Sequence, residues 1–110
     1  MLMLIALLVA CSSKIPPEEI NPQEMRQTQQ TISVTSALLS YYALNNGGRY
    51  PSAVRGLKAI PGVQASSYFD AWEQPLLYLV PALNCDAPFE LISGGFDRRI
   101  DGRGDISSCK

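Results

Sequence analysis

The stretch 37–57 constrains the fold most, because it carries the signals that end a long helix. Large apolar and aromatic side chains crowd this end on more than one face: Leu38, Leu39, Tyr41, Tyr42 and Leu44. Such crowding predicts that the helix end is buried. Gly47 and Gly48 supply the left-handed backbone that closes a helix, and Pro51 prevents its immediate resumption. A second, short helix is expected over 52–60.

The sequence also indicates where the long helix begins. Asn21 is a typical N-cap residue, Pro22 suits the first helical position, and Glu24 occupies the third. The pattern predicts a helix over about 22–46. One face carries Met25, Ile32, Leu39 and Ala43. The rest of the first half is Gln, Thr and Ser, so we expect the second half to lie on a sheet and the first half to project.

Three segments are predicted to form strands. The apolar run 76–80 indicates a buried strand, 89–93 a second strand, and 106–109 a third. A sheet this small depends on the helix for its core. The predicted fold class is therefore α+β: a single domain over 22–110, in which a long N-terminal helix packs on a small antiparallel sheet of about three strands.

Several segments, in the same order along the chain, resemble the globular domain of the major pseudopilin of type II secretion (the G family). The turn at 45–51 resembles the family's Asp-Asn-Gly-Arg-Tyr-Pro turn, which a short Gly-Leu helix follows. Residues 68–76 resemble its Tyr-x-Asp-Pro-Trp-Gly-x-Pro motif, and 89–97 its final strand and the start of its calcium loop. The resemblance covers about 24–106. It implies a pseudopilin-like fold, secretion-system or pilus proteins as partners, and a structural role.

The composition excludes several function classes. The chain has no histidine, which removes nucleophile systems that need a histidine base and every zinc site with a histidine ligand. Its net charge of −1 gives no basic footprint for nucleic acid. We therefore expect a protein that is not an enzyme and that binds neither nucleic acid nor a small-molecule substrate.

Asp70 and Glu73 form the one pair of carboxylates that could suggest acid–base chemistry. The simpler interpretation is structural: Asp70 caps a turn, and Trp72 fills the core beside Tyr50 and Tyr68. Glu73 stands where the resembled family has glycine, so this turn is a place where the backbone conformation is in question.

The first ten residues are uniformly apolar and lead into Cys11. A run this short fits the apolar region of a signal peptide, since crossing a bilayer takes about 20 residues. Leu8-Val9-Ala10-Cys11 resembles the bacterial lipobox, in which the cysteine is acylated. The predicted organisation is a lipoprotein signal peptide over 1–10, then a lipid-anchored tether over 11–21. Ser12 indicates the outer membrane of a Gram-negative cell, with the domain facing the periplasm.

An alternative for the first residues is the end of a transmembrane helix whose beginning the sequence lacks. Pro16, Pro17 and Pro22 argue against it, because they would break a helix running on into the domain. No segment before Cys11 resembles the family's prepilin cleavage motif. We therefore expect the lipid to replace the family's membrane helix as the anchor.

Cys85 and Cys109 remain as a pair. In an exported chain the expectation is a disulfide, which would tie down the C-terminus. The alternative is two free thiols, the state expected in a cytosolic protein.

The segment 97–105 is the strongest candidate for a site. Asp97, Asp101 and Asp105 alternate with glycines, a composition that suits a hard cation with oxygen ligands. It also resembles the family's calcium loop. On that resemblance Asp97 is the first ligand, Asp105 is the last, and Gly94 contributes its carbonyl oxygen. Asp101 has no clear counterpart in the family's loop and is included as a further carboxylate of the segment. Calcium is the cofactor that this reading implies.

The alternative is a loop without metal. Arg98, Arg99 and Arg103 lie among the carboxylates and could neutralise them, with Cys109 pinning the loop. For the whole chain, two functions remain open. The first is a lipid-anchored, pseudopilin-like component or accessory of type II secretion or of a related pilus system. The second is a free-standing binding module or inhibitor that reuses the fold.

Overall fold

The computed structural model of the protein describes residues 21–100 and 104–109. Several predicted features lie outside the described residues: the signal peptide, the lipidation of Cys11, the tether before Asn21, and Asp101 and Arg103 of the loop. Within these two ranges, no helix combines the length and apolar character that crossing a bilayer requires.

The first element, α1, is a helix over Pro22–Leu44. It starts as predicted: Asn21 is the N-cap, and its Oδ1 accepts a hydrogen bond from the Gln23 amide at 2.8 Å. It ends at Leu44, two residues before the predicted end at 46. The amide of Gly48, at φ +84°, donates to the Ala43 carbonyl at 2.7 Å. The glycine stop is therefore confirmed.

The buried face of α1 extends along most of its length. Its buried members are Thr28, Ile32, Thr35, Leu39 and Ala43. The expectation that the polar first half projects is therefore wrong. Threonine is tolerated inside because its hydroxyl finds a partner, as Thr28 Oγ1 does by accepting a hydrogen bond from the Ala71 amide at 3.0 Å.

The C-terminal end of α1 is buried on one side only. Leu39 is fully buried, whereas Tyr41 is 67% and Leu44 81% exposed. The prediction that this end is buried on several faces is therefore wrong. The helix contacts the sheet and a 3₁₀ helix at Ala65–Tyr68, and these contacts cover one face of the helix, which leaves the other large side chains in solvent.

Three short strands form one antiparallel sheet: β1 at Leu77–Leu79, β2 at Glu90–Ser93 and β3 at Ile106–Ser107. Their order in the sheet is β1-β2-β3, so β2 is central. Paired residues are Leu77 and Ile92, Tyr78 and Leu91, Leu79 and Glu90, Ile92 and Ser107, and Ser93 and Ile106. All three strands were predicted, and with α1 they confirm the α+β fold class.

The prediction of a buried strand over 76–80 is only partly right. Leu76 is buried, but Leu77 is 39% exposed, and the described strand is shorter than the apolar run. The reason is position: β1 is an edge strand, with one neighbour in the sheet. The run of apolar residues does not reveal whether a strand lies at the centre or at the edge.

The segment between α1 and the sheet is built from single turns. The short helix predicted over 52–60 is a 3₁₀ helix of four residues at Gly56–Ala59. Gly56 has φ +61°, which a regular α-helix does not contain, so the helix cannot extend through this position. A second 3₁₀ helix follows at Ala65–Tyr68.

The core lies between α1 and the sheet. Its buried members are Ile32, Leu39, Leu57, Ile60, Tyr68, Trp72, Leu76, Leu91 and Ile106. Trp72 lies in this core with Tyr68, as predicted, and Tyr50 packs against it from the edge. The ring of Tyr50 also contacts Phe89, with 5.3 Å between the ring centroids.

The turn over 70–74 is capped as the sequence predicted. The Oδ1 atom of Asp70 accepts hydrogen bonds from the Trp72 amide at 3.0 Å and the Gln74 amide at 2.9 Å. Glu73 has φ +63°, in the left-handed region that favours glycine. The chain thus places a non-glycine residue in the conformation for which the family's motif has glycine.

Candidate functional site: the acidic loop after β2

The acidic loop begins where β2 ends. After Ser93 the chain turns through Gly94 into a 3₁₀ helix over Gly95–Asp97. Arg98 closes this helix in the left-handed conformation at φ 58°, and its amide donates to the Gly95 carbonyl at 3.0 Å. Asp97 is therefore carried on one tight turn whose ends are fixed by β2 and by a left-handed residue.

Glycines let the two limbs of the loop approach each other closely. A Cβ atom on Gly94 would lie 2.7 Å from the Arg99 amide nitrogen. One on Gly95, which has φ +76°, would overlap the Gly104 carbonyl oxygen. The limb that leaves β2 therefore lies against the limb that returns to β3, and a side chain at either glycine would push them apart.

Asp97 is half-buried and only partly satisfied. Its Oδ1 accepts a hydrogen bond from the Arg99 amide at 2.9 Å. Its Oδ2 is buried and has no hydrogen-bond partner among the described residues. A buried carboxylate oxygen without a donor is costly, and a bound cation is one way to satisfy it.

The other predicted ligands are brought together only in part. Gly94 is buried at the start of the loop. Asp105 is half-buried beside β3 and lines a groove between that strand and α1. Asp101 lies outside the described residues. Over 21–100 and 104–109, no three acidic or cysteine side chains converge closely enough to hold a metal. Any cation here would rely on backbone carbonyls or on Asp101 as well.

The described arginines do not neutralise Asp97. Arg98 Nε donates a hydrogen bond of 3.3 Å to the carbonyl of Trp72. Arg99 contributes its amide to Asp97 and is exposed. In the part of the loop that the structure describes, neither guanidinium forms an ion pair with Asp97. The alternative of a salt-bridged loop without metal stays a prediction, because Asp101 and Arg103 lie outside the described residues.

The predicted disulfide is present. Cys85 and Cys109 are bonded, with their Cα atoms 5.6 Å apart. The Cys109 amide also donates to Ser107 Oγ at 3.0 Å. The bond joins the loop between β1 and β2 to the segment after β3, so the strand that ends the acidic loop is held at its far end.

Glu90 is a buried carboxylate beside this disulfide that sequence analysis missed. Its Oε1 accepts hydrogen bonds from the Leu83 and Asn84 amides, both at 3.0 Å. Its Oε2 accepts from Asn84 Nδ2 at 2.7 Å and from Ser107 Oγ at 2.6 Å. Burial raises the pKa of this carboxyl, but the hydrogen bonds outweigh burial and lower the pKa to about 2.

The sequence held a signal for Glu90, a lone charge within the apolar strand 89–93. A charged residue in a central strand needs internal partners. Ser93 was missed as well. Its hydroxyl donates to Asp70 Oδ2 at 2.6 Å and accepts from the Gly95 amide at 3.0 Å. Nothing in the local pattern distinguishes it from an ordinary strand serine.

Comparison with known proteins supports the resemblance that the motifs suggested. The chain matches the profile of the family described as "Type II secretion system (T2SS), protein G" over residues 18–109. The match includes α1, the capped turn, all three strands and the acidic loop. A search of curated proteins finds no match.

Proposed function

Because the chain belongs to the type II secretion system protein G family, we propose that it acts as a lipid-anchored accessory pseudopilin. Members of this family are pseudopilins, structural components of the secretion machinery rather than enzymes. The observation that carries the proposal is the match over 18–109, which spans every described element of the fold.

The lipid anchor is the finer part of the proposal. It is supported by the apolar run 1–10 and by Leu8-Val9-Ala10-Cys11, which resembles a lipobox. Acylation of Cys11 would attach the domain through the tether 11–21, and Ser12 favours the outer membrane. The domain would then face the periplasm, where a disulfide such as Cys85–Cys109 persists.

Partners from the secretion machinery are supported by the surface of the helix. Val34 is 53%, Tyr41 67% and Leu44 81% exposed, all on α1. Val34 and Tyr41 are seven residues apart, about two helical turns, so they lie on the same side of α1. Exposed apolar side chains on one side of a helix are typical of a protein-binding surface.

Calcium binding by the acidic loop is also proposed. Asp97 and Asp105 would supply carboxylates, Gly94 its carbonyl oxygen, and Asp101 a further carboxylate. The buried, unpartnered Oδ2 of Asp97 and the close approach of the two limbs at Gly95 and Gly104 support this assignment. A bound Ca²⁺ would draw the two limbs together and offset the negative charge of the carboxylates.

The anchor is tested by expressing the chain in a Gram-negative host with radiolabelled palmitate. We expect the wild-type chain to carry the label and to be recovered in the membrane fraction. The Cys11→Ser variant should lose both the label and the membrane association. Cys85→Ser is the matched control, since it also replaces a cysteine but should keep the label. An unlabelled wild-type chain would refute lipid anchoring.

The role in secretion is tested in a host that carries type II secretion genes, by cross-linking in the cell and identifying captured proteins. Capture of pseudopilins or other secretion components is the expected result. Reproducible capture of unrelated periplasmic proteins alone would instead favour a free-standing binding module.

Calcium binding is tested by thermal melts of the oxidised chain with Ca²⁺ and with chelator. At a hundredfold the dissociation constant, a ligand adds about 2.7 kcal/mol to the free energy of unfolding. For a domain of this size the midpoint should rise by about 10–20 °C. Asp97→Ala should abolish the rise, whereas Asp86→Ala, at an exposed position outside the loop, should retain it. Coincident wild-type melts would exclude calcium at this site.

A further inference from the structure

The turn over 70–74 is connected to the acidic loop by a shared carboxylate. Asp70 is buried, 5% exposed, and both of its oxygens are used. Oδ1 accepts the Trp72 and Gln74 amides inside the turn. Oδ2 accepts the hydroxyl of Ser93, the last residue of β2, at 2.6 Å. One side chain thus fixes the turn and the end of the central strand together.

Ser93 links Asp70 to the acidic loop through a second hydrogen bond. While its hydroxyl donates to Asp70, its oxygen accepts the Gly95 amide at 3.0 Å. Gly95 is the first residue of the 3₁₀ helix that carries Asp97, and it touches the returning limb at Gly104. The orientation of the Gly95 amide is therefore set by a hydroxyl whose own direction Asp70 dictates.

A second connection leaves the same turn. The Trp72 carbonyl accepts a hydrogen bond from Arg98 Nε at 3.3 Å. Arg98 directly follows Asp97 and holds the left-handed conformation that ends the 3₁₀ helix. The two connections reach the loop on either side of Asp97, at residues 95 and 98.

We infer that Asp70 is a positioning residue for the acidic loop: through Ser93, and with the Trp72–Arg98 contact, the turn holds Asp97 in the geometry that binds a cation. Where the cation is concerned, the inference rests on the proposed calcium site. Among the described residues, Asp70 forms no hydrogen bond to the loop itself and acts through Ser93. The affinity of the loop is thus set in part by a turn that is distant in sequence.

Two substitutions interrupt this path with little change in size. Ser93→Ala removes one oxygen, the acceptor of the Gly95 amide. Asp70→Asn keeps the shape of the side chain, but an NH₂ group replaces an acceptor oxygen, so the turn amides and the Ser93 hydroxyl can no longer all be accepted.

A third substitution supplies the matched control. Thr28 is fully buried, and its Oγ1 accepts the Ala71 amide of the same turn at 3.0 Å. It lies on α1, and its hydroxyl bonds to Ala71 rather than to Asp70, Ser93 or Arg98. Thr28→Val therefore removes a buried hydrogen bond to the turn without touching the path to the loop.

The experiment uses the full oxidised chain in mild detergent and measures two quantities on variants shown to be folded. Calorimetry with CaCl₂ gives the calcium dissociation constant, and hydrogen exchange without calcium gives the protection of the Gly95, Arg98 and Arg99 amides. Ser93→Ala and Asp70→Asn should weaken calcium binding about tenfold, the cost of roughly one buried hydrogen bond. Both should also speed exchange at those amides. Thr28→Val should lower the melting temperature and leave the dissociation constant within about twofold.

The outcomes separate this inference from the calcium proposal. If the wild type binds calcium and Ser93→Ala binds equally well, the inference is overturned and the calcium site stands. If the wild type binds no calcium, the calcium proposal fails. Hydrogen exchange then tests the inference. Faster exchange of the loop amides alone in the Ser93→Ala variant supports the inference, and unchanged exchange in that variant overturns it. If Asp70→Asn does not fold, Ser93→Ala alone carries the test.

Discussion

Glu90 illustrates how one residue can fix several segments at once. It is fully buried, yet four donors surround its carboxylate: two backbone amides, the Asn84 side chain and the Ser107 hydroxyl. These donors favour the charged form and keep its pKa near 2, although burial alone would raise it. Glu90 therefore stabilises the fold only while its carboxyl group is ionised.

This predicts a specific dependence of stability on pH. The ordinary pKa of 4.5 falls to about 2 on folding. A lowered pKa in the folded state contributes stability above pH 4.5 and loses it as the pH falls toward 2. At pH 7, Glu90→Gln should lower the free energy of unfolding by about 1.5–3 kcal/mol, because it weakens charge-assisted hydrogen bonds.

Urea unfolding at pH 7, 4.5 and 3 measures the difference between wild type and Glu90→Gln. That difference should shrink as the pH falls. Glu73→Gln, at an exposed position, is the control and should follow the wild type at every pH. A difference that stays constant from pH 7 to 3 would contradict the charge argument.

At the residue scale, sequence reasoning found side chains whose roles are local. Asp70 caps its own turn, and Trp72 is apolar and large, so composition alone places it in the core. Sequence reasoning missed Ser93 and Thr28, whose hydrogen-bond partners are distant in the chain. Asp70 lies 23 positions before Ser93, and Ala71 lies 43 positions after Thr28. Such contacts depend on how the elements pack, which no local pattern contains.

At the element scale, α1 is held by one face. Leu39 is completely buried against the core, whereas Leu44, five residues later, is 81% exposed. Five residues on a helix correspond to about 500°, so the two side chains point in different directions. The apolar character of a helix end thus does not measure how much of that end is buried.

The two leucines give a direct test. Leu39→Ala should lower the free energy of unfolding by about 2–5 kcal/mol, since it leaves a cavity in the core. Leu44→Ala should change it by no more than about 0.5 kcal/mol. Chemical denaturation of both variants measures the contrast, and equal losses would mean that the helix end is buried on both sides.

The elements were predictable to different degrees. The bounds of α1 follow from Asn21 and the glycines after Asn46, because caps act within a few residues. All three strands were predicted, the first of them from its apolar run over 76–80. The edge position of β1 was not, since it depends on which strand pairs with which. The metal ligands were proposed from the family's motif, and the fold brings the two limbs of their loop together at Gly95 and Gly104.

At the scale of the whole molecule, the disulfide closes the C-terminal part of the chain. Cys85 and Cys109 are 24 positions apart, and the segment between them contains β2, β3 and the acidic loop. On the chain-entropy account, a crosslink of this span stabilises the folded state by roughly 3 kcal/mol, because it restricts the unfolded chain.

We therefore expect the double variant Cys85→Ser/Cys109→Ser to lose about 3 kcal/mol of unfolding free energy relative to the oxidised protein. Guanidinium unfolding of the oxidised, reduced and double-variant proteins measures this loss. The reduced wild type should match the double variant, which controls for the substitutions themselves. Identical unfolding curves for the oxidised and the reduced protein would show that the disulfide adds nothing to the free energy of unfolding.

The order of the strands has a consequence for the folding pathway. Each strand pairs with the strand next to it in sequence, and the partners of Glu90 and the disulfide lie within 77–109. Short loops close early, because little chain entropy is lost. Pairing of the strands can therefore precede the docking of α1, which then supplies the core that stabilises the sheet. Substitutions in the sheet should slow folding, whereas those on the buried face of α1 should mainly accelerate unfolding.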